Sequence, residues 1–284
     1  MKILLIGKNS YIGESLKNYL PCDAYEIDDL DVENKEFSES DFIGYDCVIH
    51  LAAIVHRKDI KEYSIYERVN TELPKLTAKY AKNAGVKHFV FFSTMAVYEN
   101  DKSLHSNIIT AETECAPKSF YGLSKLAAEN ALKKLEADDF KISYIRPANV
   151  YGKNCKGSYI STFRKITKLT PFIPLCYTEI TQGLIYIDNL CELVKMIIDS
   201  TASGIFPAQD NPAVSSVEIM AQISAVLNLN KKSSKIFGLP FKIFKLSPVK
   251  KLFGGIAYSK QYSQTDLGNY TVVEFDEAMR KTLS

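Results

Sequence analysis

Met1-Lys-Ile-Leu-Leu-Ile-Gly-Lys-Asn-Ser-Tyr-Ile-Gly13 opens the chain and decides its architecture. Lys2 to Ile6 is a short apolar run, long enough for a strand and too short for a buried helix. The glycine segment Gly7 to Gly13 follows at once, and Glu14-Ser-Leu-Lys-Asn-Tyr-Leu20 reads as helix. Strand, glycine turn and helix are the context that a dinucleotide phosphate loop requires. Gly7 lets the chain turn tightly and Gly13 lets the helix pack close to the strand. The free N–H groups of the helix start, around Ser10, Tyr11 and Ile12, offer a seat for a pyrophosphate. The spacing is Gly-x-x-Ser-x-x-Gly, with Ser10 in place of a middle glycine. Serine is small, and its hydroxyl can donate to a phosphate oxygen.

An acidic residue is expected at the end of the next strand, where it binds the adenosine ribose hydroxyls. Ala24-Tyr-Glu-Ile-Asp28 fits, with Asp28 as the candidate and Asp29 and Asp31 close behind. Carboxylates there repel a 2′-phosphate, and no Arg or Lys neighbours them in sequence. The pattern favours NAD, with NADP as the alternative cofactor.

Further strands are expected at Tyr25–Asp28, Cys47–Ala52, Phe89–Ser93 and Ile142–Pro147. Helical patterns fall at Gly13–Tyr19, Glu67–Ala84 and Tyr121–Leu135. Such alternation gives an α/β fold, a Rossmann-like, doubly wound parallel sheet. Asp31-Val32 follows the second strand so closely that the helix expected next is short or absent, and the sheet loses a strand or distorts there. Residues 1–150 are expected to form the dinucleotide-binding domain, with a return segment near 183–200. Residues 151–284, richer in Pro and loops, are expected to form mainly a smaller substrate-binding cap, with Leu184–Ile187 rejoining the main sheet.

Tyr121 and Lys125 stand four apart in Phe120-Tyr-Gly-Leu-Ser-Lys-Leu-Ala-Ala-Glu129, a helical segment. That spacing stacks a phenol and an ammonium on one face. A phenol titrates near ~10 and is a poor base at neutral pH; bringing it near 7 takes roughly 4 kcal/mol. A neighbouring cation acts in that direction, and Lys125 together with an oxidised nicotinamide ring could supply it. Alone, the pair recurs often by chance.

In this order, Gly7…Gly13, Asp31-Val32, His50-Leu-Ala-Ala53, Asn70, Phe92-Ser-Thr-Met-Ala-Val-Tyr98, Tyr121-Gly-Leu-Ser-Lys125, Arg146-Pro-Ala-Asn-Val-Tyr-Gly152 and Tyr186-Ile-Asp-Asn-Leu190 resemble the extended short-chain dehydrogenase/reductase family, in its sugar-nucleotide epimerase/dehydratase branch. The resemblance covers nearly the whole chain. It implies that Tyr121 is the catalytic acid/base, that Lys125 lowers its pKa and holds the nicotinamide ribose, and that Thr94 hydrogen-bonds the reacting sugar hydroxyl. It implies a cofactor site that includes Asp31 and Val32 beside the adenine, Leu51, Ala52 and Ala53 along the cleft, and Asn70, Ser93 and Pro147. Asn149 is expected against a nucleotide-sugar diphosphate, and Asp188 in a structural role near the hinge. A homodimer built on a helix pair that includes the Tyr121 helix is also implied.

Two departures narrow the activity. The dehydratase branch carries Asp-Glu after the catalytic Thr, where this chain has Met95 and Ala96, neither able to move a proton. A 4,6-dehydratase is therefore excluded. The family's Arg before the Tyr186 segment is Gln182 here, which cannot replace a bidentate cation on phosphate. As a substrate-binding candidate, Gln182 would have to act without charge. The expected activity is an NAD-dependent nucleotide-sugar 4-epimerase. The alternatives are a reductase of 4-keto nucleotide-sugars using NAD(P)H and, less favoured, a non-catalytic dinucleotide sensor.

The net charge of +2 does not call for nucleic acid, and no run reaches the ~18 apolar residues of a membrane span. The first apolar run is too short for a signal peptide, so a cytoplasmic location is expected, with no stable membrane insertion. The six cysteines lack a Cys-x-x-Cys pair and His50, His56, His88 and His105 lack ligand spacing, so free thiols and no metal are expected. From Ile219 to Thr265 there is no Asp or Glu but eight lysines: Lys231, Lys232, Lys235, Lys242, Lys245, Lys250, Lys251 and Lys260. They form a solvated cap face, replace the missing Arg against a diphosphate, or meet an anionic membrane. Pro240 and Pro248 argue against one long helix there.

Overall fold

The computed structural model of the chain describes residues 1–55, 59–60, 62–98, 104–244 and 247–284, without the side chains of Ser247 and Lys251. His56, Lys245 and the Lys251 side chain thus lie outside the described residues. Six parallel strands form the main sheet: β1 (Lys2–Ile6), β2 (Glu26–Leu30), β3 (Cys47–His50), β4 (His88–Phe92), β5 (Lys141–Pro147) and β6 (Gly204–Ala208). Their spatial order is β6-β5-β4-β3-β1-β2. β3 and β4 are buried along their whole length, as strands covered on both faces must be.

Alternate side chains of β1 serve two cores. Ile3 and Leu5 join Leu16 of α1 (Tyr11–Tyr19) and, with Val90 and Phe92, a large cluster on one face. Leu4 and Ile6 join Phe89, Phe91, Ala78 and Ala128 on the other, under α2 (Leu73–Asn83) and α3 (Phe120–Leu132). The chain leaves β1 towards β2 on one side and towards β3 on the other. The switch point, where α/β sheets bind ligands, therefore lies at the C-terminal edge of β1 and β3. β2 is an edge strand, with no further strand beyond it among the described residues.

Three features differ from the sequence reading. Leu184–Tyr186 does not rejoin the main sheet; it pairs with Asn149–Tyr151 in a separate two-stranded ribbon. The sixth strand is Gly204–Ala208, which pairs with β5. Its Gly and Pro, and the half-exposed position of an edge strand, weaken the apolar pattern that would have revealed it. Helical structure at 63–83 is interrupted by a π-turn over Arg68–Glu72 before α2 begins.

The cap contains α4 (Tyr159–Leu169), α5 (Ile187–Ser200), α6 (Ser216–Val226), α7 (Lys235–Ile243), α8 (Ser247–Phe253) and α9 (Phe275–Leu283). Of these, α5 packs on the main body through its contact with α1. The Pro-rich segment is thus two short helices, α7 and α8.

The buried carboxylate of Glu129 on α3 accepts from Arg146 of β5, with Nε at 3.0 Å, and from the Ser93 hydroxyl. Arg146 also donates to Tyr98 Oη at 2.6 Å. Removing one member of such a pair leaves the other charge uncompensated in the interior. Glu129→Ala should lower unfolding free energy by roughly 3–5 kcal/mol in a urea titration, and Glu129→Met combined with Arg146→Met by less.

Candidate active site

The Tyr121 helix is held close by a missing side chain. Ser119 caps α3, its hydroxyl accepting from Gly122 N at 3.1 Å. At Gly122 a Cβ would lie 2.2 Å from the Ala96 carbonyl oxygen, so only glycine lets the first turn of α3 touch the turn Met95–Val97. Thr94 caps that turn, accepting from Ala96 N at 3.1 Å. The approach leaves the Thr94 hydroxyl and the Tyr121 phenol lining the same cleft.

The next buried residues on α3 fasten it from below. Lys125 is 1% exposed; its ammonium donates to the Phe92 carbonyl at 2.7 Å and lies 4.5 Å from the centre of the Phe91 ring. Ser124 donates to the Tyr121 carbonyl at 2.9 Å and accepts from Asn70 at 3.1 Å. Asn70 also bonds both the N–H and the carbonyl of Ile54, at 2.8 and 2.9 Å. Both groups of the Asn70 amide are thus engaged within the protein. Its expected cofactor contact is replaced by a tie between the loop after β3 and α3, presented by the π-turn.

A cleft of about 560 Å³ opens at this point. Ser10, Tyr11, Ile12, Leu51 and Ala53 line one end, with Ser93, Thr94, Tyr121, Lys125 and Pro147 at its centre. Asn149 and Gln182 line the cap side, beside Met95 and Ile256. Gln182 is 2% exposed, and its amide nitrogen donates to the Gly254 carbonyl. Asn149 donates to the Gly183 carbonyl at 3.0 Å. Among the described residues lining the cleft, the cations are Lys125 and Lys156. No described lysine between 231 and 260 lines it, so among the described residues that stretch offers no lysine in place of the arginine, one of its three readings. Lys156 was missed in the sequence because it sits in a loop with no motif around it.

The phosphate loop fits a dinucleotide. Gly7 has φ +121°, and a Cβ there would lie 2.8 Å from Ala52 N; at Gly13 it would lie 2.7 Å from Ser10 Oγ. Ala52 and Leu51 N–H groups both donate to the Ile6 carbonyl, holding the two strand ends together. Ser10 caps α1, accepting from Gly13 N at 3.1 Å. The N–H groups of Tyr11 and Ile12 have no intrahelical acceptor.

The acidic position needs correcting. Asp28 lies inside β2, opposite Leu4, and faces Tyr45 Oη at 2.9 Å and Lys2 at 3.7 Å. β2 runs on to Leu30, because its edge position tolerates carboxylates in the strand. Ile6 is in register with Leu30, which puts Asp31 on the same sheet edge as the Gly7 turn. Asp31 accepts from Asn34 N at 3.1 Å and lies 4.0 Å from Lys8, contacts that hold its carboxyl below the usual range. Val32 packs on the apolar cluster beneath α2. Lysines do neighbour the acids, then: Lys2, Lys8 and Lys17 each reach one of them.

Burial pushes the Tyr121 phenol up to about 12, opposed by the Thr94 hydrogen bond, and pushes Lys125 down to about 7. Burial therefore dominates at both groups. The Lys125 ammonium points at a backbone carbonyl, and desolvation outweighs charge.

The family model described as the NAD dependent epimerase/dehydratase family matches residues 3–206. A UDP-glucose 4-epimerase from Vibrio cholerae is 34% identical over 216 residues, 73% of this chain and 63% of its own length. The chain therefore spans under two thirds of that relative. An N-acetyl-alpha-D-glucosaminyl-diphospho-ditrans,octacis-undecaprenol 4-epimerase from Escherichia coli O157:H7 is 24% identical over 246 residues, 80% of this chain and 72% of that one. The solved structure of the Bordetella bronchiseptica enzyme WbmG in complex with NAD superposes with a TM-score of 0.74 at 19% identity, over 100% of this chain and 93% of that one, a likeness of fold. The chain belongs to the NAD dependent epimerase/dehydratase family.

The Lys125 shift has a stability consequence. Between about 7 and its ordinary 10.5 the unfolded chain holds a proton on this lysine that the folded chain does not. The unfolded state then binds more protons, and stability rises with pH across that window. Lys125→Met should flatten the rise, measured as urea midpoints of cofactor-free protein from neutral to mildly alkaline pH.

Proposed function

We propose, on the premise of that family membership, that the protein is an NAD-dependent 4-epimerase of a nucleotide-sugar. The observation that carries this reading is that Thr94 and Tyr121 line one cleft together with Met95 and Ala96, which cannot exchange protons. Such a site removes and restores one hydroxyl proton and has no second acid–base pair for eliminating water. Bound NAD supplies what the side chains cannot, uptake of the C4 hydride and its return to the other face of the ring. Tyr121 takes the hydroxyl proton, and Thr94 holds the hydroxyl and the phenol in line. Gly7, Gly13, Ser10, Tyr11 and Ile12 are proposed to hold the pyrophosphate, Asp31 the adenosine ribose, and Leu51, Ala53, Ser93 and Pro147 the walls of the nicotinamide end. Lys125 would hold the nicotinamide ribose, and Asn149 and Lys156 the substrate diphosphate. Residues 1–150 would be the cofactor domain and 151–284 mainly the cap; β6 and α5, from the latter range, pack against the former.

Purified protein should invert C4 of a UDP- or dTDP-sugar in a proton NMR assay without net consumption of NAD(P)H. Because the E. coli relative's name places its sugar on undecaprenyl diphosphate, one polyprenyl diphospho-sugar belongs in the panel. Tyr121→Phe should slow turnover by about 10²–10⁴ while NAD binding persists. Net oxidation of added NADPH by a 4-keto sugar, with no inversion, would instead make the protein a reductase.

The outer face of α3 supports the expected homodimer. Phe120 and Leu123 are 41% and 39% exposed, and with Tyr63, Leu126 and Ala127 they line a shallow apolar hollow. Leu123→Asp should convert a dimer to monomer in sedimentation velocity. A wild-type protein that is monomeric at micromolar concentration would refute this part.

A further inference from the structure

The cap presents a second apolar surface, apart from the cleft. On the inner side of α7, the Phe237 and Phe241 rings are 6.1 Å apart, and Phe241 is 5.5 Å from Phe253. A Cβ on Gly238 would lie 2.8 Å from the Leu175 carbonyl oxygen, which fixes this face inward. The opposite face is also apolar. Ile236, Leu239 and Ile243, at i, i+3 and i+7, are 85%, 54% and 62% exposed, and Phe244 follows at 61%. The turn after α4 lies alongside: Ser233–Ser234 pairs with Ile173–Pro174, and the Phe172 ring is 6.2 Å from Phe237. It adds Leu169, 85% exposed, and Phe172. A helix apolar on both sides with one side in water is not explained by the fold of the cap. Grouped exposed apolar side chains of this kind mark a contact surface.

Charge selects the partner. Lys165, Lys168, Lys232, Lys235 and Lys242 are exposed in these same segments, and no acidic residue occurs from Ile219 to Thr265. Two copies of this face would set lysine against lysine, so a symmetric self-contact is disfavoured. A surface that is apolar inside and anionic at its boundary matches both features. We propose that this face seats the cap on an anionic lipid bilayer, with the outer apolar residues of α7 and Leu169 at headgroup depth and the lysines against lipid phosphates. α7 is short and interrupted by Pro240, so the contact is peripheral, and no described helix is long and apolar enough to span. α4 begins at the cleft with Tyr159 and ends at this surface with Leu169. At 1.5 Å per residue, that sets the cleft wall roughly 15 Å from the lipid.

The full chain should co-sediment with vesicles of phosphatidylcholine containing phosphatidylglycerol, lose that binding in high salt, and ignore pure phosphatidylcholine. Ile236→Ser/Leu239→Ser/Ile243→Ser and, separately, Lys235→Glu/Lys242→Glu should each weaken partition on the order of tenfold or more. Calorimetric NAD binding by both variants serves as the control for folding. No binding to anionic vesicles, equal binding to neutral ones, or variants that bind like the parent would overturn the proposal. So would concentration-dependent self-association abolished by the triple variant, which would assign the face to a second copy of the chain.

Discussion

Everything at the site depends on how closely α3 approaches the ends of β4 and β5. The helix buries a face that is polar where it meets the cleft: Ser124, Lys125 and Glu129 are each largely inaccessible, while Ala128 and Leu132 complete the apolar part. Burying that face is costly unless each group finds a partner. Arg146 and Ser93 satisfy Glu129, the Phe92 carbonyl satisfies Lys125, and Asn70 with the Tyr121 carbonyl satisfies Ser124. Apart from the Tyr121 carbonyl, these partners come from β4 and the residue after it, β5 and the π-turn, so the polar face works as a set of address labels. It can dock in one position only, and in that position Gly122 has no room for a side chain. Tyr121 and Thr94 meet as a consequence of this docking and do not drive it.

The electrostatics then follow from burial. Burial pushes the Tyr121 phenol up to about 12, so ionising it at neutral pH carries a cost. Lys125, itself reluctant to hold its proton, cannot cover that cost. A positive charge added within the cleft would stabilise the phenolate and, by repulsion, further disfavour protonated Lys125, and in a buried site both effects are larger than in water. The site is thus set to be inert as a base when empty and to respond to the charge of whatever enters. Under the proposed 4-epimerase reading, this dependence would suppress stray proton transfer.

Much of the arrangement was legible in the sequence, because it lies in short-range patterns. Gly7, Gly13 and the apolar run of β1 specify a turn and a close packing, and Tyr121-Gly-Leu-Ser-Lys125 is one helix face. What escaped depended on the distant chain. Asp28 was preferred over Asp31 since sequence cannot say where an edge strand stops pairing, and β2 runs to Leu30 only because β1 continues beside it to Ile6. Asn70 could be placed near the cofactor but not recognised as a tie, because its partners Ile54 and Ser124 lie in other elements. β6 was missed altogether. Leu184–Tyr186, the more apolar segment, was preferred, yet it pairs with Asn149–Tyr151, whose direction is set by the turn out of β5.

The cap shows the same logic with the opposite outcome. With Gln182 in the family's arginine position, compensation by some of the eight downstream lysines is one of three readings of that stretch. The geometry separates the two. Gln182 is sealed against Gly254, behind a glycine pair in which a Cβ on Gly255 would meet the Thr181 carbonyl at 2.2 Å. The Gln182 amide is thus engaged with the backbone of Gly254. Positive charge at the cleft comes instead from Lys156, on the loop that leads into α4. The lysines of α7 are directed by Gly238 and Phe241, which anchor the helix inward and leave its other side in water. Loss of the arginine and gain of the basic face are therefore separate facts of this chain. The first is tied to tight packing beside Gly254, and the second to a surface that has no part in the cleft.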